Sequence, residues 1–249
     1  MPSKRQQEAE RLKAEIKRIW AESKACYGAP KIHHLLTNAG EKISLKRVQR
    51  YMKDMDIRSI VVKKFRYHSE KSSSDERENI LNRDFSTTSI NQKWCTDITY
   101  IYTIKDGWTY LASVMDLHSK KIIGYSCDTS MTAELTIKAV KNACLNVKTT
   151  EGIILHSDLG SQYTSQKFED YLATKQMIHS FSRKGNPYDN ACIESFHSVL
   201  KKEEVNHHKY YDIKAARKAV FEYIESWYNR KRIHSAINYK TPQAAHEAT

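Results

Sequence analysis

The stretch that most constrains this chain runs from Gly152 to Glu204. Gly152–Ser157 is a short apolar run closed by a polar step, which reads as a buried strand with Asp158 at its carboxyl end. Ser165–Lys175 then places Phe168, Tyr171 and Leu172 at helical spacing, Met177–Phe181 reads as another strand, and Gly185-Asn186-Pro187 breaks the chain into a loop. Ala191–Glu203 returns to a helical pattern and carries Glu194 on its first turn, aimed back at the strand ends. In an α/β sheet, chemistry collects beyond the carboxyl ends of the strands.

Thirty-five residues separate Asp158 from Glu194. Carboxylates are hard oxygen ligands that hold magnesium while leaving positions open for water and phosphate. One alone is accounted for by solvation, or by the dipole at a helix amino terminus. A third on an earlier strand changes that reading. Trp94–Tyr102 (WCTDITYIY) is dense in β-branched and aromatic residues, and it sets Asp97 among neighbours that favour burial. A carboxylate there costs several kcal/mol unless it is paired or metal-bound. Asp116 competes for this place, although its spacing to His118-Ser119 suits the start of a turn. Glu203 and Glu204 compete with Glu194 but lie at the far end of its helix.

Around these residues the pattern predicts a three-stranded meander and a crossing helix. Asp106-Gly107 is a hairpin signal between Trp94–Tyr102 and Trp108–Leu117, and Lys121–Cys127 reads as the third strand. Thr132–Val147 is the helix, with Leu135, Ala139, Val140 and Ala143 inward. After the Glu194 helix, Ile213–Arg230 reads as one terminal helix capped by Asp212. Arg230-Lys231-Arg232 is a basic cluster that fits either the end of a packed helix or a contact with a polyanion such as DNA, and Thr241-Pro242 opens a last short helix.

Charge narrows the class of partner. The chain carries +12, and its first 65 residues hold 16 basic and 7 acidic side chains, so +9 of that charge lies there. A basic segment of this kind suits a polyanion, and nucleic acid fits better than a membrane because no basic anchor precedes an apolar span. No signal peptide is visible and no apolar run approaches ~18 residues. The five cysteines are scattered without a CxxC pair, as in a reduced cytosolic protein, and the His33-His34 and His207-His208 pairs lack cysteines at zinc spacing.

The basic segment itself reads as helical. Lys4–Lys24 places Leu12, Ile16, Ile19 and Trp20 on one face; Lys31–Asn38 follows; Gly40 breaks the pattern, and Ser44 can cap Leu45–Met55. Two short helices around a glycine-containing turn fit a helix-turn-helix whose second member presents Lys46, Arg47, Gln49, Arg50 or Lys53 to a major groove. A small helical bundle without DNA fits the same pattern. Tyr67–Asn79 is serine-rich and lacks apolar periodicity, which reads as a linker.

Three blocks, HSDLGSQYTS, SRKGNPYDNACIESFHSVLKKE and YIESWYNRKRIHSAINYKTP, resemble the signatures of DDE transposases of bacterial insertion sequences. The likeness is to the second-frame (OrfB) product of insertion sequence family three, over Cys26 to Pro242. It implies an α/β ribonuclease-H-like (integrase) core with a mixed sheet flanked by helices, preceded by a small helical helix-turn-helix-like domain. The expected layout is 1–65 for that domain, 66–88 for a linker, 89–207 for the core and 208–249 for a helical extension. The zinc module of retroviral integrases has no counterpart here.

The resemblance further implies that Asp97, through its TDITY block, Asp158 and Glu194 are catalytic and hold two Mg2+ ions, with Mn2+ able to substitute. It implies a phosphate contact for Lys201, seven residues after Glu194 on the same helical face. The basic and amide residues of the loop, Arg183, Lys184, Asn186 and Asn190, are DNA-contact candidates, as are Lys46, Arg47 and Arg50 in the first domain. Leu159 departs from the family, where a polar or basic residue is common. The implied function is metal-dependent cleavage of element ends followed by strand transfer, acting on terminal inverted repeats and target DNA in the bacterial cytoplasm, nucleoid-associated when bound to DNA.

Self-association, and a first-frame protein fused ahead by frameshifting, belong to the same expectation. No zipper precedes Lys4, so the chain reads as a partial or unfused form. The alternatives are a ribonuclease-H-like nuclease that stops after hydrolysis and a DNA-binding regulator with an inactive core.

Overall fold

A computed structural model describes residues 3–61, 78–183 and 186–248. The chain divides into two compact units, Met1–Phe65 and Arg66–Thr249. No described helix is long and apolar enough to cross a membrane.

The first unit has three helices, α1 (Lys4–Glu22), α2 (Ala29–Asn38) and α3 (Leu45–Asp54). Their apolar faces meet through Leu12, Ile16, Ile32, Leu36, Val48 and Met52, all buried. Pro30 sits in the first turn of α2, where its missing N–H costs nothing. Gly40, at φ +89°, turns the chain after α2, and the Ser44 hydroxyl accepts from the Arg47 amide at 3.3 Å to cap α3. The expected helix-turn-helix pair is therefore α2 and α3. Lys46, Gln49, Arg50 and Lys53 of α3 are exposed, whereas Arg47 is held by Tyr51 Oη at 2.8 Å and by Glu8.

The second unit is built on a five-stranded sheet. Its strands are β1 (Lys93–Thr103), β2 (Gly107–Asp116), β3 (Ile122–Asp128), β4 (Ile154–Ser157) and β5 (Ile178–Phe181), in spatial order β3-β2-β1-β4-β5. The first three form an antiparallel meander, whereas β4 runs parallel to β1 and β5 parallel to β4. Helix α4 (Ala133–Cys144) packs on β2 and β3 through Leu135, Ala139, Val140 and Ala143. The approach is so close that a Cβ at Gly124 would lie 2.4 Å from the Ala139 carbonyl and the Ala143 amide nitrogen. Helix α5 (Gln166–Thr174) adds Phe168 and Leu172 to the same core as Trp94, Val114 and Leu155.

Helix α6 (Ala191–Glu203) packs against β1. The extension follows as α7 (Ile213–Phe221), capped by Asp212 accepting from Ala215, and α8 (Pro242–Glu247), capped by Thr241.

Two expectations change. The terminal helix is not one α-helix to Arg230: Glu222–Tyr228 is a π-helical stretch, in which the Asn229 amide bonds the Ile224 carbonyl. The wider turn buries Tyr223, Ile224, Trp227 and Tyr228 together, and Asn229 then bonds both backbone groups of Ile122 on β3. Nor is the stretch before β1 simply a linker. Most of Tyr67–Asn79 lies outside the described residues, but Leu81 is buried with its amide on Ser180, and Arg83 reaches Asp189.

Candidate active site

Asp97 stands at mid-length in β1, and the parallel pairing of Cys95 with His156 sets it level with Asp158, two residues further along each strand. Beyond this point the β4 chain turns away, leaving a notch between the two carboxylates. Glu194 enters from the first turn of α6. That helix is pinned where it starts, since the buried Asn190 amide donates to the Thr96 carbonyl at 3.2 Å, beside Asp97.

The three acids share one electrostatic environment. Burial pushes the Glu194 carboxyl up to about 7, helped by the charges of Asp97 and Asp158. Asp158 is also raised, first by the surrounding protein and then by Asp97, while the Gly160 amide at 2.9 Å pulls the other way. Its side chain nevertheless opens to solvent, so the density around Asp158 is that of a concave wall and not of a sealed interior.

Both aspartates have support. Asp97 Oδ2 lies 3.3 Å from His197 Nδ1, whose other nitrogen is 3.3 Å from the Ser113 hydroxyl. Asp158 is steadied through its backbone: Ser157 Oγ donates to the Asp158 carbonyl at 2.8 Å and lies 2.9 Å from His179 Nε2, while His179 Nδ1 lies 2.7 Å from Glu169. A Cβ at Gly160 would meet Gln162 Oε1 at 2.9 Å and Asp158 Oδ1 at 3.0 Å, so a larger residue there would push on the carboxylate. His197 was missed in the sequence, where its one signal is the three-residue step from Glu194 along the same helical face.

The competitors have structural work elsewhere. Asp116, fully buried, accepts from the Ser119 amide and hydroxyl and from the Asn91 amide, which fixes the expected turn. Glu203 is buried against Arg232 and accepts from Tyr223 Oη and Trp227 Nε1. Glu204 accepts from Tyr210 Oη at 3.2 Å.

Several expected DNA contacts are also accounted for within the protein. Asn190 is buried on Thr96 and offers no surface amide. Arg183 turns back on Asp189 with two nitrogens, and Arg83 joins them, so two guanidiniums hold this carboxyl well below the usual range despite its burial. Asn186 Oδ1 accepts from Arg83. Arg232 is buried on Glu203, leaving Arg230 and Lys231 as the exposed members of their cluster. Lys184 lies outside the described residues. Lys201 is half-buried with Nζ 4.0 Å from the Tyr100 ring centre; burial lowers its pKa and the charge of Asp97 works against that.

Three carboxylates, two of which, Asp158 and Glu194, are raised by burial and then by a neighbouring acid, suit a hard divalent cation in donor type and charge. Among the described residues no three His, Cys, Asp or Glu side chains are drawn into a finished metal cage.

Comparison with known proteins agrees with this architecture. Residues 87–187 and 175–242 each match an integrase core domain, and residues 7–65 match an HTH-like domain. The chain is 40% identical over 243 residues to the transposase for insertion sequence element IS904 of Lactococcus lactis, covering 97% of this chain and 96% of that protein. It is 36% identical over 242 residues to the transposase InsF for insertion sequence IS3A of Escherichia coli, covering 97% and 84%. A chain of the simian T-cell lymphotropic virus intasome shares the fold at a TM-score of 0.54 and 14% identity, covering 94% of this chain and 75% of that one. With an integrase-like ribonuclease-H fold behind a helix-turn-helix-like domain, and near full-length identity to such proteins, the chain belongs to the bacterial insertion-sequence transposases of the IS3 type.

Proposed function

We propose that this transposase is a DDE polynucleotidyl transferase in which Asp97, Asp158 and Glu194 hold two divalent ions, Mg2+ or Mn2+. The reading is supported chiefly by the register that sets Asp97 on β1 level with Asp158 after β4, and by the charges of both acids acting on Glu194 in the first turn of α6. Bound there, the metals would supply Lewis-acid stabilisation of phosphoryl charge and acidify the attacking hydroxyl. The chain's residues do the rest. His197 keeps the Asp97 carboxylate turned into the notch, and the Ser157–His179–Glu169 chain keeps the Asp158 backbone in place. Lys201, on the Glu194 helix, offers a cation to a neighbouring phosphate.

In the first reaction water attacks a phosphodiester at the element end, breaking the bond to the 3′-oxygen and freeing a 3′-hydroxyl. In the second, that hydroxyl attacks another phosphodiester. One bond forms as one breaks, so joining needs no ATP. The first unit supplies DNA affinity, with Lys46 and Arg50 presented from α3 to the terminal repeats. Pairing two ends calls for self-association, and a first-frame protein is a candidate accessory in the bacterial cytoplasm.

The test is incubation with labelled element ends and Mg2+. Joined strands are expected. Cut strands alone would reassign the protein as a nuclease, and bound but unaltered DNA would make it a regulator.

A further inference from the structure

Pairing between β1 and β4 covers only Lys93–Cys95, so past Asp97 the strand runs on beside the site without a β4 partner, and its outward face becomes aromatic. Tyr100 and Tyr102, with Trp108 across the hairpin, are 54%, 56% and 54% exposed. Trp108 meets both tyrosines edge-on at 5.2 and 5.3 Å. Together they front a groove of about 510 Å3, whose other side includes Lys201 and Lys209. That volume is in the range of a small-ligand site, ~300–1,000 Å3.

The groove's chemistry points to its occupant. Its lining includes two lysines and no Asp or Glu. Nearby Glu204 is engaged by Tyr210 Oη at 3.2 Å and by His208 at 3.1 Å. Lys201 Nζ already stands 4.0 Å from the Tyr100 ring centre, so a cation and an aromatic face meet at the groove's edge nearest Asp97. Rings beside ammonium groups suit a nucleotide, whose base stacks while its phosphate meets the cation. A second copy of this chain, at a net charge of +12, suits the two lysines less well than a polyanion does. Tyr100 is three residues beyond Asp97, about 10 Å along the strand and on its other face; Lys201, on the α6 helix that meets Asp97 through His197 and 4.0 Å from the Tyr100 ring centre, bridges the edge between them.

We infer that Tyr100, Tyr102 and Trp108 form a stacking platform for unpaired nucleotides of the DNA strand adjoining the scissile phosphate. The inference rests on the polynucleotidyl-transferase reading above and adds a structural preference to it: the end is held with its terminal bases out of the duplex. Stacking accepts any base, so the platform contributes affinity without sequence specificity.

The test uses the full chain and a duplex carrying the element's terminal repeat, prepared either fully paired or with two terminal nucleotides unpaired and one replaced by fluorescent 2-aminopurine. Wild type is expected to quench the unpaired probe. Trp108→Ala and Tyr102→Ala should each weaken binding of the unpaired end about tenfold and lose quenching, with under about twofold change on the paired duplex. Trp108→Phe should keep most of both.

Absent quenching in wild type, or equal effects on the two duplexes, would overturn the platform. So would a fall in sedimentation mass for Trp108→Ala, which would assign the face to a second copy. Strand joining is measured alongside: joining by wild type with indifferent aromatic variants removes the platform alone, whereas normal quenching without joining removes the catalytic reading instead.

Discussion

Glu203 and Glu194 lie nine residues apart on α6, and substitution of Glu203 tells a structural acid from a catalytic one. The Glu203 carboxylate is 1% exposed and meets Arg232, itself 10% exposed, at 2.9 Å. It also accepts from Tyr223 Oη at 2.9 Å and Trp227 Nε1 at 3.1 Å, tying α6 to the π-helical stretch. Glu203→Gln keeps the shape and an acceptor but leaves the Arg232 guanidinium buried without its counter-charge. Breaking one side of such a pair costs about 3–5 kcal/mol, which for a unit of this size lowers Tm by roughly 6–20 °C. Replacing both members, Glu203→Met with Arg232→Met, should recover much of the loss, because no buried charge is then left unpaired. Calorimetry gives the midpoints, and joining assayed well below them should stay near the wild-type rate per folded molecule. A Glu203→Gln midpoint within about 2 °C of wild type would refute the buried pair. Lost joining at an unchanged midpoint would move the catalytic glutamate to Glu203.

Other outcomes follow from the same geometry. In metal-free buffer the Glu194 carboxyl, at about 7 when folded against an ordinary 4.5, binds its proton more tightly in the native state; it therefore removes stability as pH rises between those values. Glu194→Gln should match wild type near pH 4.5 and exceed it in Tm at pH 8, and Mg2+ should narrow the pH 8 gap; a wild type that is the more stable at pH 8 without metal would contradict this. Gly124→Ala forces a Cβ to 2.4 Å from the α4 backbone and should cost about 1–3 kcal/mol, read as a lower urea midpoint; an unchanged midpoint would show that α4 has room to move. A chain beginning at Arg66 loses the basic first unit, so the slope of log affinity against log salt should flatten through fewer released counterions; an unchanged slope would place the phosphate contacts in the core.

What the sequence made legible was chiefly local. Ser44 and Asp212 announced their helices because a cap acts within three residues, and Asp116 announced its turn because Ser119 lies only three residues on. Strand and helix periodicity sufficed to order the elements along the chain and to put Asp158 after a strand and Glu194 on the first turn of a helix, while the choice of Asp97 over Asp116 leaned on the resemblance of its TDITY block. What stayed hidden depends on partners about a hundred residues away. Asp189 draws in Arg83 from 106 residues upstream, and Arg183 with it, so a loop that reads as DNA-facing is clamped to the protein. His197 reaches Asp97 across 100 residues, and Lys201 finds a ring on β1 that no helical pattern announces. The π-helical stretch was invisible for another reason: the buried pairs Tyr223-Ile224 and Trp227-Tyr228, four residues apart, fit the apolar period of an α-helix as well.

The central claim, that Asp97, Asp158 and Glu194 act as one site, is tested most directly by the strand-joining rate of Asp97→Asn, Asp158→Asn and Glu194→Gln on element ends with Mg2+. Each amide keeps the side chain's shape and removes the charge an ion needs. All three variants are predicted to bind DNA with wild-type affinity, to stay folded, and to join no detectable product. Joining at a wild-type rate by any one of them would contradict the account at that residue.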